Sequence, residues 1–237
     1  MTDLLFQNDG YLQNCSATVT KADERGIQFD QTVFYATGGG QPGDTGQITT
    51  ADGQTLAIID TIKKRDSDEH IHVLADGSAL PSTGDTCQLS IDWQRRHRLM
   101  RMHSCLHMMC ALIDAPVTGG SIQDGKGRLD FDLAESVDKE KLTNALNALI
   151  SADHSMSVQW ITEEELDQQP DLVRTLSAKP PRGSGRIRLV NFDGIDLQPC
   201  GGTHIASTIE IGPVRVSKIE KKGKQNRRIN VVFDEDS

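Results

Sequence analysis

Four side chains of the kinds that bind zinc occur in this chain as two pairs, and their spacing is its clearest indication of chemistry. His103 and His107 are four positions apart, so a helix would place both imidazoles on one face, about one turn from each other. Cys200 and His204 form the second pair, and Gly201-Gly202 between them frees the backbone to turn both side chains inward. Together the two pairs predict a Zn²⁺ site with one thiolate and three imidazoles.

The residues around these pairs narrow the kind of zinc site. A zinc protease of the His-Glu-x-x-His type needs a Glu after the first histidine, and Ser104 stands there instead. Structural zinc usually joins closely spaced pairs, whereas His107 and Cys200 lie far apart, so a catalytic or substrate-binding zinc is favoured. A catalytic zinc needs an open position, and we expect His204 to be the loosely held ligand. Cys110 shares the histidine face, but we expect it to be a core cysteine.

The composition is that of a folded protein. With 237 residues, 36% of them hydrophobic, the chain is long enough for two modest domains. Its first residues lack the basic start and apolar core of a signal peptide, and no apolar run approaches the roughly 20 residues of a membrane span. Five cysteines without regular spacing indicate reduced thiols. We therefore expect a soluble, cytoplasmic protein that does not associate with a membrane.

The charge is negative overall but unevenly distributed. A formal net charge of -9 argues against indiscriminate nucleic-acid binding. Three basic runs nevertheless flank the zinc motifs, which favours a polyanionic substrate over three unrelated solvated surfaces. The runs are Arg95, Arg96, Arg98 and Arg101; Lys179, Arg182, Arg186 and Arg188; and Lys218, Lys221, Lys222, Lys224, Arg227 and Arg228.

Short alternating strands are predicted for the first part of the chain. Residues 17–20 and 27–29 predict a hairpin that turns at 23–26, and further strand-like segments follow at 46–48, 56–59, 70–74 and 87–91. Together they predict a small β-barrel, with His70 and His72 on its surface.

A glycine-rich run at residues 34–46 interrupts these strands. It contains Thr37 and Gln41 and is too rich in glycine for a helix or a central strand. Because it lacks the Gly-Lys-Ser/Thr ending of a phosphate-binding loop, we interpret it as another kind of functional or tightly packed loop.

The second part of the chain mixes helices and strands. Asp92 is predicted to cap a helix from about Trp93 to Ile113 with an apolar stripe, so a domain boundary is placed just before it. The domains are then residues 1–91, the β-barrel, and 92–237, the zinc-binding domain, in an α+β fold. Further predictions are a turn at 118–121, strands at 128–132, 158–161 and 186–190, a helix capped by Ser136, a capping box at 162–165, a loop at 180–185, and a hairpin of 214–219 with 228–233.

Taken together, the motifs resemble the alanyl-tRNA editing proteins of the AlaX family. These are freestanding relatives of the editing domain of alanyl-tRNA synthetase, and the resemblance is to the medium-length form with an N-terminal glycine-motif domain. The run 34–46, the segment 103–107, and the segment 200–204 followed by Ile211-Gly212 occur in the order of the family. The resemblance covers nearly the whole chain, and no residue of the metal motif is replaced.

The resemblance implies an aminoacyl-tRNA deacylase that acts in trans on tRNA(Ala) mischarged with serine, with glycine as a second candidate. Hydrolysis of the ester would release free tRNA and serine. Zn²⁺ would be held by His103, His107, Cys200 and His204, and its role, to activate water or to anchor the amino group, is left open. Thr37 would recognise the serine hydroxyl, with Gln41 close to the ester, as the catalytic residues. No aminoacylation module fits this length, so we expect no synthetase activity and no use of ATP. We expect the protein to be a monomer.

Two other classes of function stay open. The first is a tRNA-binding or nucleic-acid-binding module in which zinc is structural, and the basic runs would serve it equally well. The second is a regulatory or synthetase-fragment role. The loop with Thr37 and Gln41 favours hydrolysis, since an ester hydrolase needs hydrogen-bond donors for the carbonyl and side chain of its substrate.

Overall fold

A computed structural model describes residues 2–64, 69–77, 79–176 and 185–234 of the chain. Two compact units, Met1–His97 and Arg98–Ser237, make up the protein. All five cysteines are free, as predicted. Within the described residues, no helix combines the length and apolar character that crossing a membrane requires.

The first unit contains a closed barrel of six strands, which confirms the predicted β-barrel. The order of the strands around the barrel is β2-β3-β7-β6-β5-β8, and the predicted first hairpin is the pair β2–β3. The strands of this unit are β1 (Asp3–Leu4), β2 (Asn14–Asp23), β3 (Gly26–Phe29), β4 (Gln31–Thr32), β5 (Gly46–Thr50), β6 (Thr55–Lys63), β7 (His70–Leu74) and β8 (Thr86–Ile91), with a 3-10 turn at Leu5–Gln7.

His70 and His72 are buried, so their predicted place on the barrel surface is wrong. Their exposed fractions are 4% and 0%. The Nε2 atom of His70 lies 2.9 Å from the carbonyl oxygen of Phe34, and the ring of His72 lies between the Thr32 hydroxyl and the Ile27 carbonyl. Burial lowers the pKa of His70 to about 4 and that of His72 to about 3. Both are therefore neutral core residues that satisfy backbone and side-chain polar groups.

The glycine-rich run forms a loop that a buried ion pair holds in place. Asp44 accepts a hydrogen bond from the amide of Tyr35 at 2.6 Å and pairs with Arg96, and both charged side chains are almost fully buried. A side chain at Gly43 would clash with the carbonyl of Thr61, so this position requires glycine. The end of the loop that contains Gly43 and Asp44 is thus tightly packed, which is one of the two interpretations that the sequence left open.

Helix α1 (Trp93–Leu112) is the predicted long helix. The Asp92 carboxylate accepts a hydrogen bond from the amide of Arg95 at 3.1 Å, which confirms the cap. The whole predicted apolar stripe is buried: Leu99, Met102, Leu106, Met109 and Ile113. The two units divide between His97 and Arg98, inside this helix.

The second unit is α+β, and its described residues form two sheets. One has the order β14-β15-β10-β9 and the other β11-β12-β13, all antiparallel. Its elements are β9 (Val117–Gln123), β10 (Lys126–Asp132), α2 (Lys139–Ser151), β11 (Met156–Thr162), α3 (Glu163–Asp167), β12 (Arg186–Phe192), β13 (Asp196–Pro199), β14 (Val214–Lys221) and β15 (Asn226–Phe233), with 3-10 turns at Pro170–Leu172 and Thr208–Ile211.

Two local predictions for this unit are wrong. Residues 118–121 are part of strand β9 rather than a turn, because Gly119 and Gly120 pair with β10 and leave room for its side chains. Helix α2 is capped by Asp138 rather than Ser136, because the Asp138 carboxylate accepts hydrogen bonds from the amides of Glu140 and Lys141, each at 3.0 Å. The capping box of α3 and the hairpin β14–β15 are confirmed. Most of the predicted loop at 180–185 lies outside the described residues.

Candidate metal centre

The structure brings together the four residues that the sequence predicts as metal ligands. One ligand atom each from His103, His107, Cys200 and His204 lies within 4.8 Å of all the others. The Sγ atom of Cys200 is 3.5 Å from Nε2 of His103 and 3.3 Å from Nε2 of His204. All three imidazoles are buried. One sulfur and three ring nitrogens at this separation could hold a metal ion.

Helix α1 contributes two of these side chains and also a residue that orients a third. His103 and His107 lie one turn apart, with ring centroids separated by 5.3 Å. Ser104 lies between these two histidines in the sequence. Its Oγ atom is 3.1 Å from Nδ1 of His204 and accepts a hydrogen bond from the amide of Ile205 at 3.3 Å. A protease would have a catalytic Glu where this hydroxyl stands. Here the serine instead helps to turn Nε2 of His204 toward Cys200.

Strand β13 supplies a carboxylate that sequence reasoning missed. The Oδ2 atom of Asp196 lies 2.7 Å from Nδ1 of His107 and accepts a hydrogen bond from Nε2 of Gln198, also at 2.7 Å. A carboxylate can only accept hydrogen bonds, so the proton of the His107 ring must be on Nδ1. The other ring nitrogen, Nε2, is then left to bind the metal. The sequence did contain a signal for Asp196. Asp196, Gln198 and Cys200 are each two positions apart, so in an extended strand their side chains project from the same face.

An arginine fixes the backbone of the Cys200 motif. Nη1 of Arg188 donates to the carbonyl oxygens of Cys200 and Gly202, at 2.8 and 3.0 Å, and Arg188 is only 8% exposed. Its positive charge therefore serves the metal-binding turn rather than the surface.

Several other members of the predicted basic runs are also internal. Arg96 is buried against Asp44, and Arg227 is buried, with hydrogen bonds to the carbonyl oxygens of Ala134 and Gly223. Arg101 donates to the carbonyl of Ile211. These side chains of the basic runs are therefore held by carboxylate or carbonyl oxygens of the protein itself rather than by a polyanionic substrate. Lys179 and Arg182 lie outside the described residues.

The electrostatics of the cluster favour a thiolate at its centre. Burial raises the pKa of the Cys200 thiol, but the charges of His103 and His204 outweigh it and hold that pKa well below its usual range. Burial and the charge of His103 lower the pKa of His204. Burial lowers the pKa of His107, but Asp196 and Cys200 raise it more, to about 9.

This donor set fits Zn²⁺. Zinc prefers thiolate and imidazole ligands in a tetrahedron, and its histidine ligands usually donate their second ring N–H to a carboxylate, as His107 does to Asp196. Cys110 behaves differently, since burial raises its pKa to about 12 and it is not in the cluster. It is a buried core thiol, as predicted.

The predicted catalytic residues lie in the first unit, in the glycine-rich loop. Thr37 is exposed, and its hydroxyl oxygen accepts a hydrogen bond from the amide of Gly43 at 2.8 Å. Gln41 is buried, and its backbone pairs with that of Gly38 in both directions. The metal cluster belongs to the second unit. The roles of Thr37 and Gln41 toward a substrate stay predictions.

Comparison with known proteins gives matches along the chain. The sequence profile described as "Threonyl and Alanyl tRNA synthetase second additional domain" matches residues 187–230, and the profile "tRNA synthetases class II (A)" matches residues 8–95. The first profile therefore includes most of β12 with Arg188, β13 with Asp196, and the Cys200 motif.

Curated relatives match over nearly the full chain. "Alanyl-tRNA editing protein AlaX-M" of Methanosarcina acetivorans is 33% identical over 240 residues, covering 97% of this chain and 98% of that protein. The protein of the same name from Saccharolobus solfataricus is 30% identical, again covering 97% of this chain and 98% of that protein. An "Alanine--tRNA ligase" of Sulfurisphaera tokodaii is 31% identical over 93% of this chain, but only 25% of the ligase is covered.

Proposed function

Because the chain belongs to the family of alanyl-tRNA editing proteins, we propose that it hydrolyses seryl-tRNA(Ala) in trans with the help of zinc. Glycyl-tRNA(Ala) is the second substrate to be tested. The reaction cleaves the ester between the amino acid and the terminal ribose, consumes water, and releases serine and free tRNA. It needs no ATP.

The observation that carries this proposal is the buried cluster of a thiolate and three imidazoles. His103, His107 and Cys200 would hold the zinc, and His204 is the ligand whose release opens a position. Zinc bound there would supply a Lewis acid that activates water or anchors the amino group of the substrate. Around it, Asp196 and Ser104 hold the rings of His107 and His204 in the required orientations.

Specificity would come from the glycine-rich loop. We assign recognition of the serine hydroxyl to Thr37 and contact with the reacting ester to Gln41. The Thr37 oxygen already accepts the amide of Gly43, so its proton remains available for donation to a substrate oxygen.

Metal analysis together with a deacylation assay tests the proposal. The purified protein should contain about one zinc per chain and should release serine from seryl-tRNA(Ala) much faster than alanine from alanyl-tRNA(Ala). The double variant His103→Ala, Cys200→Ala should lose both zinc and activity, whereas Cys15→Ala, which removes a thiol of the first unit, should keep both. If the wild type holds zinc and binds tRNA but hydrolyses neither seryl- nor glycyl-tRNA(Ala), the chain is a zinc-stabilised tRNA-binding module.

A further inference from the structure

One face of the sheet β11-β12-β13 is turned toward the metal cluster. The ring of Phe192 on β12 lies 5.8 Å from that of His107 and 5.9 Å from that of His204, and Asp196 reaches His107 from β13. The opposite face packs against Leu166 of α3, through the buried side chains of Ile187 and Leu189 and the partly buried Ile161 and Leu197. The two faces are therefore distinguished by their contacts.

Trp160 lies on the face that meets the metal cluster. It pairs directly with Arg188 across β11 and β12, and the amide of Cys200 bonds to the carbonyl of Arg188 at 3.1 Å. Trp160, Arg188 and Cys200 thus form one row across the sheet, and directly paired residues project from the same face. Two strand spacings separate the ends of the row, so the backbones of Trp160 and Cys200 are about 10 Å apart.

Trp160 is much more exposed than Arg188, the residue beside it in this row. Arg188 is 8% exposed and is held by the Cys200 motif, whereas Trp160, on the outer strand, is 39% exposed. Arg186 precedes Arg188 by two positions on β12, so it shares this face, and it is also exposed. An indole and an arginine side chain are thus both exposed on the face that carries the metal cluster.

We propose that Trp160 is the stacking platform for the terminal nucleobase of the tRNA substrate. The inference rests on the proposed function, because an ester that reacts at the metal cluster places its own nucleoside next to Cys200. A separation of about two strands is comparable to the length of one nucleoside. An indole face binds any base by stacking, and Arg186 adds positive charge for the adjoining phosphate.

Stacking of this kind acts on substrate binding more than on the chemical step. The base is not altered in the reaction, so its contact with the indole is made equally in the ground state and in the transition state. Trp160→Leu, which keeps an apolar surface but removes the aromatic face, should raise KM for seryl-tRNA(Ala) about tenfold with little change in kcat. Trp160→Phe should recover most of the affinity. Unfolding curves of both variants check that each is folded at the temperature of the assay.

Fluorescence tests the contact without any catalysis. The chain contains two tryptophans, so in Trp93→Phe the emission comes from Trp160 alone. Uncharged tRNA(Ala) should quench this emission, and the same tRNA without its 3′-terminal adenosine should not. Equal quenching by both tRNAs, or none by either at saturation, would overturn the assignment, and so would an unchanged KM in Trp160→Leu. Absence of deacylation by a wild type that still shows the adenosine-dependent quenching would instead count against the proposed function alone.

Discussion

The Nδ1 atom of His107 and the Oδ2 atom of Asp196 lie 2.7 Å apart, and both side chains are buried. This contact fixes the imidazole in the tautomer whose Nε2 can bind a metal. Asp196 also accepts a hydrogen bond from Gln198, while its Oδ1 atom has no hydrogen-bond partner among the described residues and lies 3.9 Å from Nε of Arg174. The carboxylate is therefore placed to act on the metal through His107 rather than as a ligand.

Removing this carboxylate should weaken metal binding. Asp196→Ala leaves Nδ1 of His107 without its acceptor, and we expect zinc affinity to fall by about 10- to 100-fold. Asp196→Asn keeps an oxygen that can accept the N–H, so its loss should be smaller. Competition with a chromogenic chelator measures both affinities. Equal affinity of Asp196→Ala and the wild type would show that His107 does not depend on Asp196.

The buried histidines of the barrel predict a loss of stability in mild acid. Their pKa values in the folded chain, about 4 for His70 and about 3 for His72, lie below the ordinary value of 6.5. The unfolded chain therefore binds protons first as the pH falls. Their contribution to the free energy of unfolding is complete above pH 6.5. It is lost as the pH falls from there toward about 4 for His70 and about 3 for His72, by about 1.4 kcal/mol per histidine for each pH unit.

Urea unfolding at pH 7.5 and pH 5.5, followed in Trp160→Phe by the emission of Trp93, measures this loss. Trp93 packs against the core of the first unit and so reports on the barrel. His70→Gln can still donate to the Phe34 carbonyl but does not titrate, so it should remove roughly half of the pH dependence. The same pH dependence in His70→Gln as in its parent would mean that His70 is not the titrating group.

Local signals predicted much of the fold. The caps at Asp92 and Thr162 and the two hairpins depend on residues within a few positions of each other, and the structure contains all of them. His70 and His72 were misplaced because their burial depends on closure of the barrel, which joins strands distant in sequence. Residues 118–121 were misread as a turn for the same reason, since only pairing with β10 makes them a strand.

The metal cluster was predictable and its surroundings were not. His103, His107, Cys200 and His204 are recognisable by residue type and spacing, and they meet as predicted. Charge alone does not show whether a side chain is exposed or buried, so the basic runs did not reveal that Arg96 and Arg188 are held inside the protein by carboxylate or carbonyl oxygens. Asp196 was overlooked because its partner, His107, is 89 positions away.

The turn of the hairpin β14–β15 remains an exposed basic surface, and we expect it to contact tRNA phosphates. Lys221, Lys222 and Lys224 are exposed there. Changing all three to Gln should raise KM for seryl-tRNA(Ala) more than it lowers kcat. It should also reduce the slope of log affinity against log salt by about 2, since each phosphate contact contributes about 0.7 to 0.9.

A control variant with three lysines changed to Gln elsewhere in the chain distinguishes a specific contact of the hairpin with tRNA from a general effect of net charge on binding. Lys21, Lys139 and Lys141 are also exposed and lie in β2 and α2. Their triple change to Gln alters the net charge equally and should leave both KM and the salt slope near their wild-type values. Equal effects of the two triple variants would show that the hairpin makes no specific contact.

Discrimination between serine and alanine should depend on the hydroxyl of Thr37. A site that hydrogen-bonds a substrate hydroxyl disfavours the analogue without it by up to about four orders of magnitude, because its own polar group is then left unpaired. Thr37→Val removes the hydroxyl but keeps the shape, so it should narrow the ratio of kcat/KM for seryl-tRNA(Ala) to that for alanyl-tRNA(Ala). Zinc content should not change.

The hydrogen bond from Gly43 makes a second variant necessary. Thr37→Val also leaves the amide of Gly43 without its acceptor, at a cost of about 1 to 3 kcal/mol, so the loop itself is weakened. Thr37→Ser keeps the oxygen and the proton and should keep both the loop and the discrimination. A ratio that narrows in Thr37→Val but not in Thr37→Ser, measured on both mischarged and correctly charged tRNA, assigns specificity to the hydroxyl. An unchanged ratio in Thr37→Val would remove this residue from the mechanism.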